Sequence, residues 1–277
     1  MAKSGDPAAP LASMAEPSAG NTDDYLTQVL AVAAAEVQKL YHDPWELLTR
    51  AVQPVLWLML FGVVMARVHG VSPGALPYLD FLAAGILAQS ALFVAIFYGI
   101  SAIWERDLGV LQRYLVSPAP RSALVLGKAL SAGARALSQG LVVYLLALLL
   151  GVGITLAPWN LLGVMLVIVL GSALFSTLSL IIACVVKTRE RFMGIGQVLT
   201  MPIFFASNAI YPLSLMPAWL RAVSRFNPLT YEVDALRSLM LTHGVSEYGL
   251  GIDFAVLAGT TAVLTAIGAR MYRRMGF

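Results

Sequence analysis

The sequence predicts an all-α, polytopic membrane protein with six transmembrane helices, an N-terminal amphipathic interfacial helix and outer re-entrant helices. Three observations carry this. Six long apolar stretches, separated by short polar breaks, fill the chain from about residue 45 onward. Of its 277 residues 59% are hydrophobic and only 12% charged, with a mean hydropathy of +0.79, whereas a soluble domain carries about twice that charge. The apolar runs are continuous and about 20 residues long, the length of a helix that crosses a bilayer, without the period-two alternation of a membrane β-barrel.

Residues 1–24, rich in Ala, Pro, Ser and Gly, lack the basic start and apolar run of a signal peptide and read as a disordered cytoplasmic tail. Residues 25–43 change character. Leu26, Val29, Leu30, Ala33, Val37 and Leu40 recur at helical spacing, with Thr27, Gln28, Gln38 and Lys39 on the other side. This helix is too polar to span, and it lies either along the membrane surface or against a partner subunit. Asp43, Pro44 and Glu46 then suit the N-cap, first and third positions of a new helix. That elbow opens the transmembrane domain, residues 44–277.

The crossings are expected at about 45–66, with Pro54 as a kink, then 78–104, within 122–152, 159–186, 192–210 and 252–269. Trp45, Tyr78, Trp104, Trp159 and Tyr272 fall near segment ends, where interfacial aromatic belts belong. Lys and Arg set the orientation. With a cytoplasmic N-terminus, the inner segments hold Lys39, Arg106, Arg113, Arg121, Lys187, Arg189, Arg191, Arg273 and Arg274 among others, and the outer ones only Arg67, Arg221, Arg225 and Arg237. Both termini are therefore expected to be cytoplasmic. Arg121, Lys128 and Arg135 are spaced seven apart along one face of the third helix, where Arg135 can snorkel to the headgroups.

Two connecting segments stand out. In residues 105–118, Leu108, Leu111 and Leu115 share a helical face, Arg106, Gln112 and Arg113 lie away from it, and Pro118 and Pro120 stop the helix. Such a piece suits docking into a groove on another protein or, equally on pattern alone, a solvated connector. In residues 207–251, Ala209-Ile210-Tyr211-Pro212 ends the fifth crossing and a short amphipathic stretch, Pro217 to Phe226, follows. Asn227 then caps a helix with Pro228 at its first position, the apolar stripe Leu229, Val233, Leu236 and Met240, and an end at His243-Gly244. Neither piece can span, so both read as re-entrant or interfacial helices packed on protein.

The sequence also excludes chemistry. Gly127-Lys128-Ala129 lacks the upstream glycine and the Ser/Thr of a P-loop, and no Ser/His/Asp set or HExxH motif appears. The single cysteine, Cys184, reads as a small buried hydrophobe. No carboxylate or histidine is expected deep in a crossing: Asp80, Asp253 and His69 sit near outer ends, so a proton relay has no visible machinery. The chain is therefore expected to have no catalytic site, cofactor or metal of its own. The basic residues flank apolar segments, which points to membrane lipids rather than nucleic acid.

These parts, in this order, resemble the permease subunits of ABC type-2 exporters. The resemblance rests on the surface helix, the Asp43-Pro44 elbow, the Glu105-Arg106 to Pro118 loop, Arg121 to Lys128, and Asn227-Pro228-Leu229-Thr230-Tyr231. It runs from about Tyr25 to the C-terminus. It implies a second permease subunit, as a homo- or heterodimer, and two copies of a separate ABC ATPase that binds ATP and Mg²⁺. It implies that 105–118 is a coupling helix, with Glu105, Arg106, Leu108, Leu111, Arg113 and Leu115 seated on the ATPase, and that 25–43 is the connecting helix beside it. Residues 211–243 would form the outer re-entrant helices, with Asn227, Pro228 and Tyr231 at an outer gate. The implied setting is the plasma or inner membrane, and the implied cargo drugs, antibiotics, lipids or other amphipathic compounds. The competing readings are a stand-alone carrier or channel, disfavoured by the absence of deep carboxylates and internal repeats, and a non-transporting assembly protein. Phe93, Phe97, Phe175 and Phe204 look alike in sequence whether they line an apolar pathway or pack between helices.

Overall fold

The computed structural model describes residues 52–65, 76–107, 121–186 and 188–272. The expected tail, connecting helix and Asp43-Pro44 elbow lie outside the described residues, as do Leu108, Leu111, Arg113 and Leu115 of the coupling segment. Besides a single 3₁₀ turn at Leu213–Leu215, the described residues form nine helices in chain order: α1 (Val52–Met65), α2 (Tyr78–Tyr98), α3 (Ile100–Asp107), α4 (Arg121–Leu149), α5 (Pro158–Val185), α6 (Arg189–Phe205), α7 (Ala218–Phe226), α8 (Pro228–Met240) and α9 (Leu250–Tyr272). Glu105 and Arg106 fall in the last turn of α3. The one pairing outside helices, among these residues, is an isolated antiparallel bridge between Ile154 and Leu241.

Among the described residues, four helices are long and apolar enough to span a membrane: α2, the Gly127–Leu149 part of α4, α5, and Leu250–Met271 of α9. The described part of the expected first crossing is a shorter apolar helix, α1, whose Trp57–Gly62 stretch is π-helical just beyond Pro54. The expected fifth crossing is corrected: α6 ends at Phe205 rather than Ile210. The second is interrupted at Gly99, where α5 crosses so closely that a Cβ would overlap the Ser179 hydroxyl. Ser179 Oγ donates there to the Ile96 carbonyl, which also accepts the Gly99 N–H.

Helix α2 is the hub. It is apolar on all sides, the pattern of a helix buried in protein, and every residue in it except Leu79, Asp80, Phe93 and Phe97 is buried. Around it pack α1, α4, α5, α6 and α8. Tyr78, expected in an interfacial belt, is instead 2% exposed and donates to the Ile210 carbonyl at 3.1 Å. Trp159 meets that expectation, being 81% exposed. Arg135 places its guanidinium over the Tyr98 ring, 5.3 Å from the centroid. A smaller apolar cluster of Ile103, Leu180, Ala183, Val186 and Phe192 joins α3, α5 and α6 near their shared end.

At the opposite end, helix α4 stops in a Schellman turn. Gly151 takes φ +79°, its N–H bonds the Leu148 carbonyl, and Val152 N–H bonds Ala147. The chain that follows pairs with the segment after α8: Thr155 N–H donates to Met240 and Thr242 N–H to Gly153. Asp80, in the first turn of α2, accepts from Gly153 N–H at 3.3 Å. These bonds fasten the C-terminal end of α8 to the ends of α2, α4 and α5.

Candidate functional site

The chain between α6 and α9 forms a cap on one end of the bundle, and its organising residue is Asn227. Asn227 is extended (φ −87°, ψ 114°) and its Oδ1 accepts from Leu229 N–H at 3.1 Å, the N-cap expected from Asn-Pro. Pro228 occupies the first helical position, where no N–H is required. The same amide has a second bond that the sequence does not announce: Nδ2 donates to the Ile203 carbonyl of α6 at 2.6 Å. One side chain thus closes the start of α8 and the end of α6. Tyr231 Oη donates to the Arg225 carbonyl at 2.8 Å, and Ser224 and Thr230 hydroxyls meet at 2.9 Å, so α7 is held against α8.

This explains why α6 ends early. Ser207 Oγ donates to Phe204 and accepts Ala209 N–H, starting a turn. Beyond it Ser207, Asn208, Ala209 and Ile210 are buried without being helical. Irregular backbone away from water needs partners for its carbonyls, and distant side chains supply them: Arg237 Nη2 donates to Asn208 at 2.9 Å, Tyr78 to Ile210, and Arg221 to Leu213, Ser214 and Met216. Gly85 of α2 makes room, since a Cβ there would overlap the Ala209 carbonyl.

Helix α8 runs antiparallel along α5. Leu239 lies against Gly163, Asn160 Nδ2 donates to the Leu239 carbonyl at 3.0 Å, and seven residues earlier Glu232 lies against Gly171. Gly171 is halfway along α5, so Glu232 stands far from either end of that helix. The expected stripe of Leu229, Val233, Leu236 and Met240 is fully buried, and Thr230, Glu232, Asp234 and Arg237 are buried as well. The helix also ends at Met240, before His243-Gly244, because Leu241 turns away to pair with Ile154.

The charged residues of α8 were missed because their surroundings come from elsewhere in the chain. Glu232 has no exposure and neither carboxylate oxygen has a hydrogen-bond partner; burial pushes its carboxyl well above the usual carboxylate range. Glu232 lies on α8, which is not one of the expected crossings, so it falls outside the expectation of no carboxylate deep in a crossing. Arg237 stacks its guanidinium 3.7 Å from the Phe81 centroid. Burial lowers its pKa to about 10, against the pull of Asp234 and Glu247, so it remains a cation at neutral pH. Asp234 Oδ2 accepts from Glu247 and Tyr248 N–H at 2.8 and 3.0 Å. Ser246 Oγ stands 2.9 Å from a carboxyl oxygen of both Asp234 and Asp253, joining α8 to the first turn of α9.

The second feature is a cavity of about 510 Å³ between α1, α2, α4 and α6. It separates the four phenylalanines that sequence could not. Phe93 and Phe97 line it, half-buried, whereas Phe175 and Phe204 have no exposure and belong to the core. Among the described residues no group of His, Cys, Asp and Glu is placed to hold a metal ion.

Residues 27–241 match the family model for the ABC-2 type transporter. The chain is 30% identical over 231 residues to "Putative transport permease ycf38" of Cyanophora paradoxa, covering 81% of this chain and 78% of that one. It is 26% identical over 233 residues to the daunorubicin resistance ABC transporter permease protein DrrB1 of Streptomyces coeruleorubidus, covering 84% and 81%. With Nodulation protein J of Rhizobium leguminosarum bv. trifolii it shares 30% identity over 208 residues, 73% and 76% of the two chains.

Proposed function

The chain belongs to the ABC-2 type transporter family, and from that premise we propose that it is the transmembrane permease subunit of an ATP-driven exporter of small amphipathic compounds. The observation that carries this reading is the cap tied to α6 through Asn227. A helix expected to cross that stops early, and hands over to two short helices fastened on protein, supports a gate at the end of a pathway. In this reading α1 and α6 complete six crossings with the four long helices, both termini are cytoplasmic, and Asn227, Pro228 and Tyr231 set the position of the outer gate. Two permease subunits, alike or different, and two ATPase subunits make the working complex, with ATP and Mg²⁺ bound in the ATPase. Similarity to a permease named for daunorubicin resistance favours a drug-like cargo.

The decisive experiment is transport by inside-out vesicles from cells that express the chain with its ATPase. Uptake of daunorubicin, or of another amphipathic compound from a panel, is expected to require ATP. Uptake without nucleotide would make the protein a stand-alone carrier instead. Coupling is tested at Leu111, on the apolar face of the segment expected to dock on the ATPase. Burying a leucine is worth about 1.5–3 kcal/mol, so Leu111→Asp is expected to reach the membrane, lose the ATPase on purification and stop export. A mutant that keeps both would reduce the segment to a connector. Orientation is tested with single cysteines in a Cys184→Ala background. One at Val245, which is 78% exposed, should react with an impermeant thiol reagent in intact cells, and one at Ser117 should not.

A further inference from the structure

Resting on the reading of the chain as an export permease with its cap outside, we propose that Asp234, Ser246 and Asp253 form a proton-operated latch. A proton held on Asp253 ties the cap to the first turn of α9, and its loss to the outer medium releases that tie.

Ser246 Oγ lies 2.9 Å from Oδ2 of Asp234 and 2.9 Å from Oδ2 of Asp253. A serine hydroxyl has one hydrogen to give, so it can donate to only one of these carboxyls. Two oxygens at hydrogen-bond distance need a proton between them, so the other contact requires a proton carried by the acid. Ser246 Oγ also accepts the Gly249 N–H at 2.7 Å. With one more bond accepted from a protonated carboxyl, the hydroxyl donates once and accepts twice, its full capacity.

The surroundings decide which acid carries the proton. Asp234 Oδ2 accepts the N–H groups of Glu247 and Tyr248, and the charge of Arg237 on the same helix attracts it; both favour the anion. Asp253 has neither. It is fully buried, Oδ1 has no hydrogen-bond partner, and Oδ2 meets Ser246. A helix start favours an anion, but the N–H groups of Ile252 and Asp253 bond the Gly249 carbonyl instead. No other charge faces Asp253. Of the remaining charged groups on α8, Glu232 lies against Gly171, and Arg237 is committed to the Asn208 carbonyl and the Phe81 ring. Helix α5 carries no charged residue and has Cys184 near its far end. Helix α4 holds Arg121, Lys128 and Arg135 in its first half and, at this end, Tyr144, whose hydroxyl turns to the Thr155 carbonyl. In the loop, Glu247 is exposed and the Tyr248 ring packs on Tyr231.

Asp253 therefore donates through Oδ2–H to Ser246, while Ser246 donates to Asp234. Val245, Glu247 and Gly249 of the same loop are exposed, so water can take the proton when the medium turns alkaline. Two carboxylates then face one hydroxyl. Ser246 stays with Asp234, Asp253 is left without a bond, and like charge pushes α9 from the cap.

The test uses the full chain with its ATPase in nanodiscs. The infrared spectrum of wild type minus that of Asp253→Asn is expected to show the C=O stretch of a protonated carboxyl at neutral pH, lost at alkaline pH. Glu232 is common to both proteins and cancels. Amide hydrogen exchange reads the tie itself. Protection of residues 249–253, corrected for the pH dependence of chemical exchange, is expected to fall about tenfold from mildly acid to alkaline pH, the factor that loss of one hydrogen bond yields. Asp253→Asn, whose carboxamide donates to Ser246 in the acid's place and cannot ionise, should stay protected throughout, and Ser246→Ala should be unprotected throughout. In inside-out vesicles, where the cap faces the lumen, ATP-dependent uptake should quicken as the lumen is made alkaline. Asp253→Asn should keep the acid rate.

Absence of the Asp253 band would overturn the proposal, as would protection or uptake that ignores pH or responds to it equally in Asp253→Asn. A flat wild-type exchange profile is decisive by itself, whichever variants insert. The spectrum and the exchange need no transport. A pH-sensitive tie in a chain whose uptake is indifferent to ATP would sink the permease reading and spare the latch; ATP-dependent uptake with flat exchange does the reverse.

Discussion

Helices α2 and α9 are close to twins in composition and opposites in circumstance. They offer spans of 21 and 22 residues with mean hydropathy 2.0 and 1.8, yet 89% of the apolar window of α2 is buried in protein and 11% of that of α9. Hydropathy therefore reports the medium a helix tolerates, not its neighbours: in a bilayer, lipid can stand where protein would otherwise be required. What distinguishes α2 is fit. Ala83, Ala84, Ala88, Ala91 and Ala95 keep its surface small enough for helices on several sides, and Gly85 admits a backbone carbonyl. Along α9, Ile252 and Val263 remain more than half exposed.

The largest expected effect sets a glycine on one helix against a glycine on the other. Gly85→Leu forces a side chain into the Ala209 backbone, which cannot give way as a flexible side chain could, and is expected to cost about 3 kcal/mol or more. Gly259 of α9 has nothing within reach of a Cβ, so Gly259→Leu should stay within about 0.5 kcal/mol. Yield and thermal midpoint by fluorescence-detected size exclusion check both, and equal losses would break the contrast.

A smaller effect is expected where α8 is moored beside α2. Asn227→Ala removes the cap of α8 and leaves the Ile203 carbonyl of α6 unpaired, together about 2 kcal/mol. The protein should insert, with a lower thermal midpoint and reduced export. Asn227→Asp keeps the acceptor and loses the donor. If the tie to α6 matters for export, the Asp variant should be impaired although its helix cap is intact; normal export by it would assign the defect of the Ala variant to the cap alone.

The smallest effect concerns Glu232, buried between α8 and α5. Its folded-state pKa is raised, so the stability linked to it is complete below the ordinary carboxylate value and is lost as pH rises toward the folded value. The thermal midpoint of the wild type is expected to fall as pH rises above the ordinary carboxylate range, and that of Glu232→Gln to fall less. Equal slopes would mean that Glu232 has another way to stay ionised.

These cases show where sequence was informative. The Asn227-Pro228 start of α8 was legible because a cap is a local arrangement of three residues. The limits of α5 and α9 were legible to within about three residues because long apolar runs end in recognisable breaks. The end of α6 was not, since it depends on Asn227 and Arg237 reaching carbonyls 24 and 29 positions away. Nor was the burial of Glu232, which requires Gly171 on another helix. Gln139 looked like any polar residue on a long helix; only the packing of four helices shows that its amide faces no partner.

The buried turn after α6 has a consequence for biogenesis. Its carbonyls at Asn208 and Ile210 are satisfied by Arg237 and Tyr78, one made later by the ribosome and one made more than a hundred residues earlier. Such a segment has no stable resting place in hydrocarbon while it waits. It must linger at the aqueous edge of the membrane until α8 has emerged, and then descend with it onto an α2 already in place. Insertion of this chain is therefore not a simple procession of helices in the order of synthesis; the turn is seated only once α8 has been made, and a chain truncated before Arg237 should be left with its fifth segment unplugged and open to quality-control proteases.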